Sequence, residues 1–259
     1  MCGITGYWAR AGKPEAWLRD LDRSVDTLRL RGPDDRGTWV RQGSDVAFGH
    51  TRLSILDLSV TGHQPMQSPD GDVVMAFNGE IYNFADLRTQ LEQAGYRFRS
   101  SGDSEVALAA LQYWGIAAVE RFIGMFAIAL WRESERRLWL IRDRLGVKPL
   151  YYAWNGREFW FGSELKAFRA FRAWSPELDR DALAEYLQFG YISAPRSIYR
   201  QVFKVEPGHW LELRASGDPI TRCYWSALDP REHSAAPESA LEEELEAIFI
   251  DAFRYRMVS

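Results

Sequence analysis

Two periodicities run through this chain. Between residues 15 and 30, Trp17, Leu18, Leu21, Val25 and Leu28 recur at helical spacing, and Arg31-Gly32-Pro33-Asp34-Asp35 stops the helix with a Gly-Pro pair and two turn-forming aspartates. The same spacing predicts a helix capped by Asn83 and running to Gly95, with Phe84, Leu87 and Leu91 inward. It predicts another from Asp103 to Trp114, with Ala107, Leu108 and Leu111 inward, and shorter ones over 164–168 and 181–189. Elsewhere, short apolar runs bounded by turn residues predict strands over 3–8, 37–40, 46–50, 52–58, 73–77, 125–131, 137–142, 150–154, 158–162, 209–213 and 222–225. Asp70-Gly71 and Asn155-Gly156 mark hairpin turns, and His63-Gln64-Pro65-Met66 reads as a loop. Val73 to Phe77 is almost continuously apolar, as in a strand covered on both faces.

Strands grouped around pairs of helices, without strict alternation, predict stacked antiparallel or mixed sheets with helices outside. Residues 226–240 are rich in Pro, Ala and Ser and read as a linker. Beyond them Leu241, Leu245, Ile248, Phe249 and Ala252 mark an amphipathic helix to Met257, whose apolar face needs a cover and favours self-association, as in a homodimer.

Composition narrows the function classes. With 259 residues and 46% hydrophobic content, the chain can bury one large core. A net charge of −4 speaks against a nucleic-acid partner. No apolar run approaches a membrane span and no signal-peptide pattern opens the chain, so no membrane partner and a cytoplasmic location are expected. Two cysteines make no disulfide framework, and four histidines without ligand spacing predict no bound metal. Trp8, Trp39, Trp131, Trp139, Trp154, Trp160 and Trp210 sit in strand-like runs and are expected to pack the sheets.

The candidate chemistry starts at Cys2, directly behind Met1. Loss of the methionine would leave a thiol and an α-amine on one residue. An amine with a pKa of about 7.7–8.0 can take the thiol proton without a histidine. Cysteine is also a common small core residue, so Cys2 by itself decides nothing. Asn78-Gly79 reads either as a turn or as two donors, a side-chain amide and a backbone N–H, for a developing oxyanion. Arg52, at the start of a predicted strand, reads as a surface ion-pair partner or as a bidentate carboxylate clamp. Asp103 reads as a helix cap, as an ammonium ligand, or as both. A thiol, two oxyanion donors, a carboxylate clamp and an ammonium clamp together suit an α-amino acid with a reactive side-chain amide, which is glutamine. Cys223, in an aromatic strand, and Lys148 are read as structural.

The succession MCGITGYW, RGPDDRG, GHTRLSILDLS, GHQPM, FNGEIYNF, SGDSEV, GMFAIALW, RDRLGVKPLYY, FGSELKA, GYISAPRSIY and VEPGHWLEL resembles the class II, N-terminal-nucleophile glutamine amidotransferases. The nearest likeness is to the glutaminase domain of glutamine-dependent asparagine synthetases, over about residues 2–225. The resemblance implies an α+β fold, a four-layer αββα sandwich of two antiparallel sheets. It implies Cys2 as nucleophile and Asn78 and Gly79 as oxyanion hole. L-Glutamine would be bound by Arg52, the strand Leu53, Ser54, Ile55 and Leu56, then Asn78, Gly79, Glu80 and Asp103. Arg31 to Asp34 would be a supporting loop.

In such proteins ammonia passes to a C-terminal synthetase domain in cis, where ATP and Mg activate a carboxylate such as that of aspartate. The SGGxDS loop of that domain is expected just past Ser259. The chain is therefore expected to be a piece of a longer protein, with residues 2–225 as glutaminase domain, 226–240 as linker and 241–259 as the first helix of the next domain, and with no cofactor of its own. Three alternatives stay open: amidation of a different carboxylate in secondary metabolism, a non-catalytic scaffold of the same fold, and an amide hydrolase of other substrate range. The joint presence of Arg52 and Asp103 favours an amino-acid substrate over the last. Retained Met1 would turn the Cys2 amine into an amide and leave the site inactive.

Overall fold

Side-chain alternation along antiparallel strands decides how the layers stack. The computed structural model describes residues 1–10, 15–43, 45–228 and 237–257. Among these, twelve strands form two six-stranded sheets in which the paired strands run antiparallel. The first has the order β10 (Val202–Lys204), β8 (Tyr151–Trp154), β9 (Glu158–Gly162), β1 (Gly3–Ala9), β3 (Val46–Arg52), β2 (Asp35–Val40). The second runs β12 (Ile220–Cys223), β11 (His209–Leu213), β7 (Arg137–Arg142), β6 (Gly124–Arg132), β5 (Val73–Ile81), β4 (Met66–Gln67).

Ile4, Trp8, Val46, Phe48, Phe159 and Phe161 of the first sheet meet Val74, Ala76, Ala127, Ala129, Trp131, Leu138 and Leu140 of the second in one buried cluster. Trp8 and Trp131 touch edge to face across this interface, 4.9 Å apart, an arrangement worth about 0.5–1.5 kcal/mol beyond the area it buries. The residues between point the other way. Tyr7, Ala47 and Trp160 pack with Trp17 and Leu21 of α1 (Glu15–Thr27) and Phe168 of α4 (Leu165–Phe168). Val73, Met75, Phe77 and Ile128 pack with Leu87 and Leu91 of α2 (Phe84–Gln93) and Val106 and Leu108 of α3 (Asp103–Trp114). The result is the expected αββα sandwich.

Two helices stand largely outside this core. α5 (Arg180–Phe189) buries Ala182 alone, and α6 (Glu238–Arg256) has no buried residue, leaving Leu245, Ile248, Phe249 and Phe253 exposed. The Arg256 guanidinium of α6 lies 5.1 Å from the Tyr82 ring centroid. Within the expected linker, residues 229–236 lie outside the described residues, as do 258 and 259. No described helix is long and apolar enough to cross a membrane.

Four local expectations are corrected. The strand expected over 52–58 ends at Arg52 instead, because the segment beyond it folds back: the Arg52 guanidinium donates to the carbonyls of Asp57 and Ser59, and the Asp57 carboxylate accepts from Ser59 N–H and Thr61 Oγ1. Asn78-Gly79 is no turn. Both residues lie inside β5, opposite Ala127 and Phe126, and a Cβ on Gly79 would sit 2.3 Å from the Met125 carbonyl oxygen. Asn83 does precede α2, but its side chain bonds the backbone of Arg121 and Ile123 rather than capping the helix. Cys223 is exposed at the end of the edge strand β12, not packed in a core.

Candidate active site

The inner faces of the two sheets carry the site at one end of the sandwich. On β3 the inward series Val46, Phe48 continues to His50 and Arg52; on β5 the series Val74, Ala76 continues to Asn78. Cys2 stands one residue before the first ladder pair, Gly3 with Thr51, on the same alternation as Ile4 and Trp8. Apolar residues thus fill the middle of the interface, and polar ones take the same face where it opens to solvent.

There they line a cavity of about 240 Å³ with Cys2, Arg52, Leu53, Ile55, Leu56, Asn78, Gly79, Glu80 and Asp103 on its walls. Of the residues singled out from sequence, Ser54 alone is absent from this wall: its N–H donates to Asp34 Oδ2 at 2.7 Å, and it lines a neighbouring cavity with Arg52. A second cavity of about 260 Å³, near Tyr96, Phe98 and Gln112, holds no cysteine.

Cys2 is held from both sides. Its carbonyl accepts from Arg31 Nε at 2.9 Å, and Arg31 is in turn fixed by Glu164 at 2.9 Å. Its Sγ accepts from the Leu53 N–H at 3.4 Å. Burial pushes the thiol pKa up, against the Leu53 hydrogen bond and the positive charges of the chain terminus and Arg52. A neutral thiol therefore rests in the site, and a base is needed to raise its nucleophilicity.

Asn78 is almost fully buried, yet its Nδ2 has no hydrogen-bond partner in the resting structure. A buried donor left unpaired costs about 1–3 kcal/mol, and such a donor on the wall of a thiol-bearing cavity is placed for a ligand oxygen. The backbone N–H of Gly79 is free to serve the same purpose. Phe126, its partner on β6, spends both backbone groups on Asp143: N–H to Oδ2 at 3.1 Å, carbonyl from the Asp143 N–H at 2.8 Å. Gly79 and Phe126 are thus a non-hydrogen-bonded pair, and the Gly79 N–H points away from β6 toward the open edge of β5.

Arg52 uses guanidinium donors on the Asp57 and Ser59 carbonyls, the latter at 2.8 Å. The rest of its five N–H groups are available to a ligand. Asp103 opens α3, and its Oδ2 accepts from Ile81 N–H at 2.9 Å. Burial pushes its pKa up to about 6, the hydrogen bond from Ile81 opposing and nearby Glu80 adding to the rise. Opposite charges thus stand on one cavity, fit for the two ends of an amino acid.

Lys148 and Gln64 also reach this wall, where the sequence predicts a structural lysine and a loop residue. Lys148 is buried because the loop before it wraps around Asp143, whose carboxylate accepts from the N–H groups of Leu145, Val147 and Lys148 at 2.9–3.1 Å. Its position in RDRLGVKPLYY and that of Gln64 in GHQPM were the available signals; neither pattern shows which way the side chain points.

The chain matches a family model described as a glutamine amidotransferase domain over residues 1–225. It is 36% identical to "asparagine synthetase [glutamine-hydrolyzing] 3" of Bacillus subtilis (strain 168) over 262 residues, covering 100% of this chain and 42% of that protein. It is 34% identical to "putative asparagine synthetase [glutamine-hydrolyzing] 2" of Methanocaldococcus jannaschii over 277 residues, covering 100% of this chain and 53% of the relative. The chain thus spans about half the length of the curated relatives it matches. A solved structure of glutamine phosphoribosylpyrophosphate amidotransferase from B. subtilis superposes with a TM-score of 0.63 at 20% identity, over 86% of this chain and 49% of the other, a likeness of fold.

Proposed function

Because this chain belongs to the glutamine amidotransferase domain family, we propose that it hydrolyses L-glutamine to glutamate and ammonia at Cys2, once Met1 is removed. One observation carries the assignment of the site: a half-buried thiol shares a cavity with the buried Asn78 side chain, whose Nδ2 has no hydrogen-bond partner. Arg52 holds the α-carboxylate of glutamine and Asp103 its α-ammonium, which brings the side-chain amide to the thiol; Leu53, Ile55, Leu56 and Glu80 complete the wall.

The chemistry needs only the chain and water. The freed α-amine of Cys2 takes the thiol proton, and the thiolate attacks Cδ of glutamine. The oxyanion that forms is met by Asn78 Nδ2–H and Gly79 N–H. The Cys2 ammonium then returns its proton to the departing nitrogen, and ammonia leaves a glutamyl thioester. Water, deprotonated by the same amine, adds to the thioester through a second oxyanion. The carbon–sulfur bond breaks, glutamate is released and the thiolate recovers its proton.

The relatives' names and their greater length support a wider role: the ammonia is used by a further domain to make asparagine from aspartate. ATP and Mg, which the family resemblance implies, would belong to that domain. On that reading α6, with its uncovered apolar face, is the start of this domain. The test is glutamate release from glutamine by protein shown by intact mass to lack Met1. Cys2→Ala is expected to abolish release while leaving the fold unchanged; release persisting in Cys2→Ala overturns the assignment.

A further inference from the structure

The donors at Asn78 and Gly79 lie on a strand edge that little else secures. β4 pairs with β5 only at Val74 and Met75, so from Phe77 onward the outward backbone groups of β5 face no neighbouring strand. Three outward N–H groups follow in alternation, at Phe77, Gly79 and Ile81. Two are held by side chains: Phe77 N–H donates to Gln64 Oε1 at 2.7 Å, and Ile81 N–H to Asp103 Oδ2 at 2.9 Å. Gly79 between them faces the cavity.

The Phe77 carbonyl is held as well, by His50 Nε2 at 3.0 Å across the sheet interface. A carbonyl only accepts, so Nε2 carries the imidazole proton. Gln64, Phe77 and His50 are all buried. The Phe77 carbonyl belongs to the peptide that joins Phe77 to Asn78. One side chain from the loop before β4 and one from the opposite sheet therefore grip the backbone immediately before Asn78, whose Nδ2 is unpartnered.

We propose that Gln64 and His50 are positioning residues for oxyanion binding: by clamping Phe77 they keep Asn78 Nδ2 and the Gly79 N–H directed at one point in the cavity. This rests on the glutaminase reading above. Gln64 also lines the cavity, but in this role it acts through the Phe77 N–H it holds, not through the substrate. Its removal frees the β5 edge, and a displacement of the donors by a fraction of an ångström to 1 Å weakens the transition state more than the bound substrate.

The test compares wild type with Gln64→Met, which keeps side-chain length and removes the acceptor. kcat for glutamine hydrolysis is expected to fall about 10- to 100-fold with KM within about 3-fold of wild type. Affinity for the γ-aldehyde analogue of glutamine, whose hemithioacetal with Cys2 carries the oxyanion, should fall by the same factor as kcat. Affinity for glutamate, which makes none, should hold. Hydrogen exchange at the Phe77 and Gly79 amides should quicken. If Gln64→Met does not fold, Gln64→Asn, which withdraws the acceptor by one methylene, carries the same criteria. Unchanged kcat and aldehyde affinity overturn the proposal, as does an equal loss of glutamate and aldehyde affinity, which marks a merely structural role. Wild-type protein lacking Met1 that neither hydrolyses glutamine nor binds the aldehyde overturns the glutaminase reading itself, and with it this one.

Discussion

Asp103→Asn should bind glutamine worse and fold better. The carboxyl pKa is about 6 in the folded chain against an ordinary 3.8, because burial removes water from the charged form. A difference of about 2 units, at about 1.4 kcal/mol per unit, is about 3 kcal/mol. Between about pH 4 and pH 6 the folded state still holds a proton that the unfolded chain has released, so stability falls as pH rises through that window, and the whole cost is present above it. Asparagine carries no charge and can still accept from the Ile81 N–H. At pH 7.5 Asp103→Asn should therefore gain up to about 3 kcal/mol, and the gain should vanish near pH 4. Urea unfolding at the two pH values reads this directly.

Glutamine binding moves the other way. If Asp103 pairs with the α-ammonium, only the ionised form binds. With a pKa of about 6, about one molecule in eleven is ionised at pH 5, so KM there should stand about 11-fold above its plateau beyond pH 7. In Asp103→Asn, KM should be high and flat across this range, raised about 10- to 150-fold by loss of a charged hydrogen bond worth about 1.5–3 kcal/mol. Steady-state glutamate release from pH 5 to 7.5 measures both. A variant less stable than wild type at pH 7.5, or a wild-type KM that does not change with pH, refutes the reasoning.

Asn78→Ala removes a donor without a partner in the resting site, so thermal stability should change little while kcat falls about 10²- to 10³-fold; a near-normal kcat would exclude Asn78 from the oxyanion hole. Gly62→Ala tests Arg52 from outside the cavity. A Cβ there would lie 2.0 Å from Arg52 Nη2 and 2.5 Å from Cζ, so the guanidinium must leave the Asp57 and Ser59 carbonyls. KM for glutamine should rise about 10-fold with little change in kcat, and an unchanged KM argues that Arg52 does not hold the carboxylate.

Local pattern carried much of this molecule. The apolar stripe Trp17, Leu21, Val25 of α1, the inward series of α2 and α3, the hairpins at Asp70-Gly71 and Asn155-Gly156 and all strands but the short edge strands β4 and β10 follow from spacing and turn chemistry, which depend on near neighbours in sequence. Cys2, Arg52, Asn78, Gly79 and Asp103 stood out because each brought an unusual chemical group to a place where a strand or helix was about to begin or end.

Tertiary structure decided what spacing could not. Leu53 to Leu58 has strand-like composition, but the Arg52 guanidinium and the Asp57 carboxylate take its polar groups and bend it into the cavity wall. Asn78-Gly79 has the composition of a turn, but pairing with β6 extends it, and the alternation of that ladder turns the Gly79 N–H outward while Phe126 bonds Asp143. Gln64 and Lys148 reach the cavity through loops whose course is set by other strands: Gln64 is held by the Phe77 N–H at the β5 edge, and the loop before Lys148 wraps around Asp143, which is anchored in turn by the Phe126 N–H of β6. The physical reason is common to all four. A residue's secondary structure is set largely by its own chain, whereas the direction of a hydrogen bond, the burial of a charge and the pKa of Asp103 are set by whatever packs opposite, and that is fixed only when two sheets and their helices close on one another.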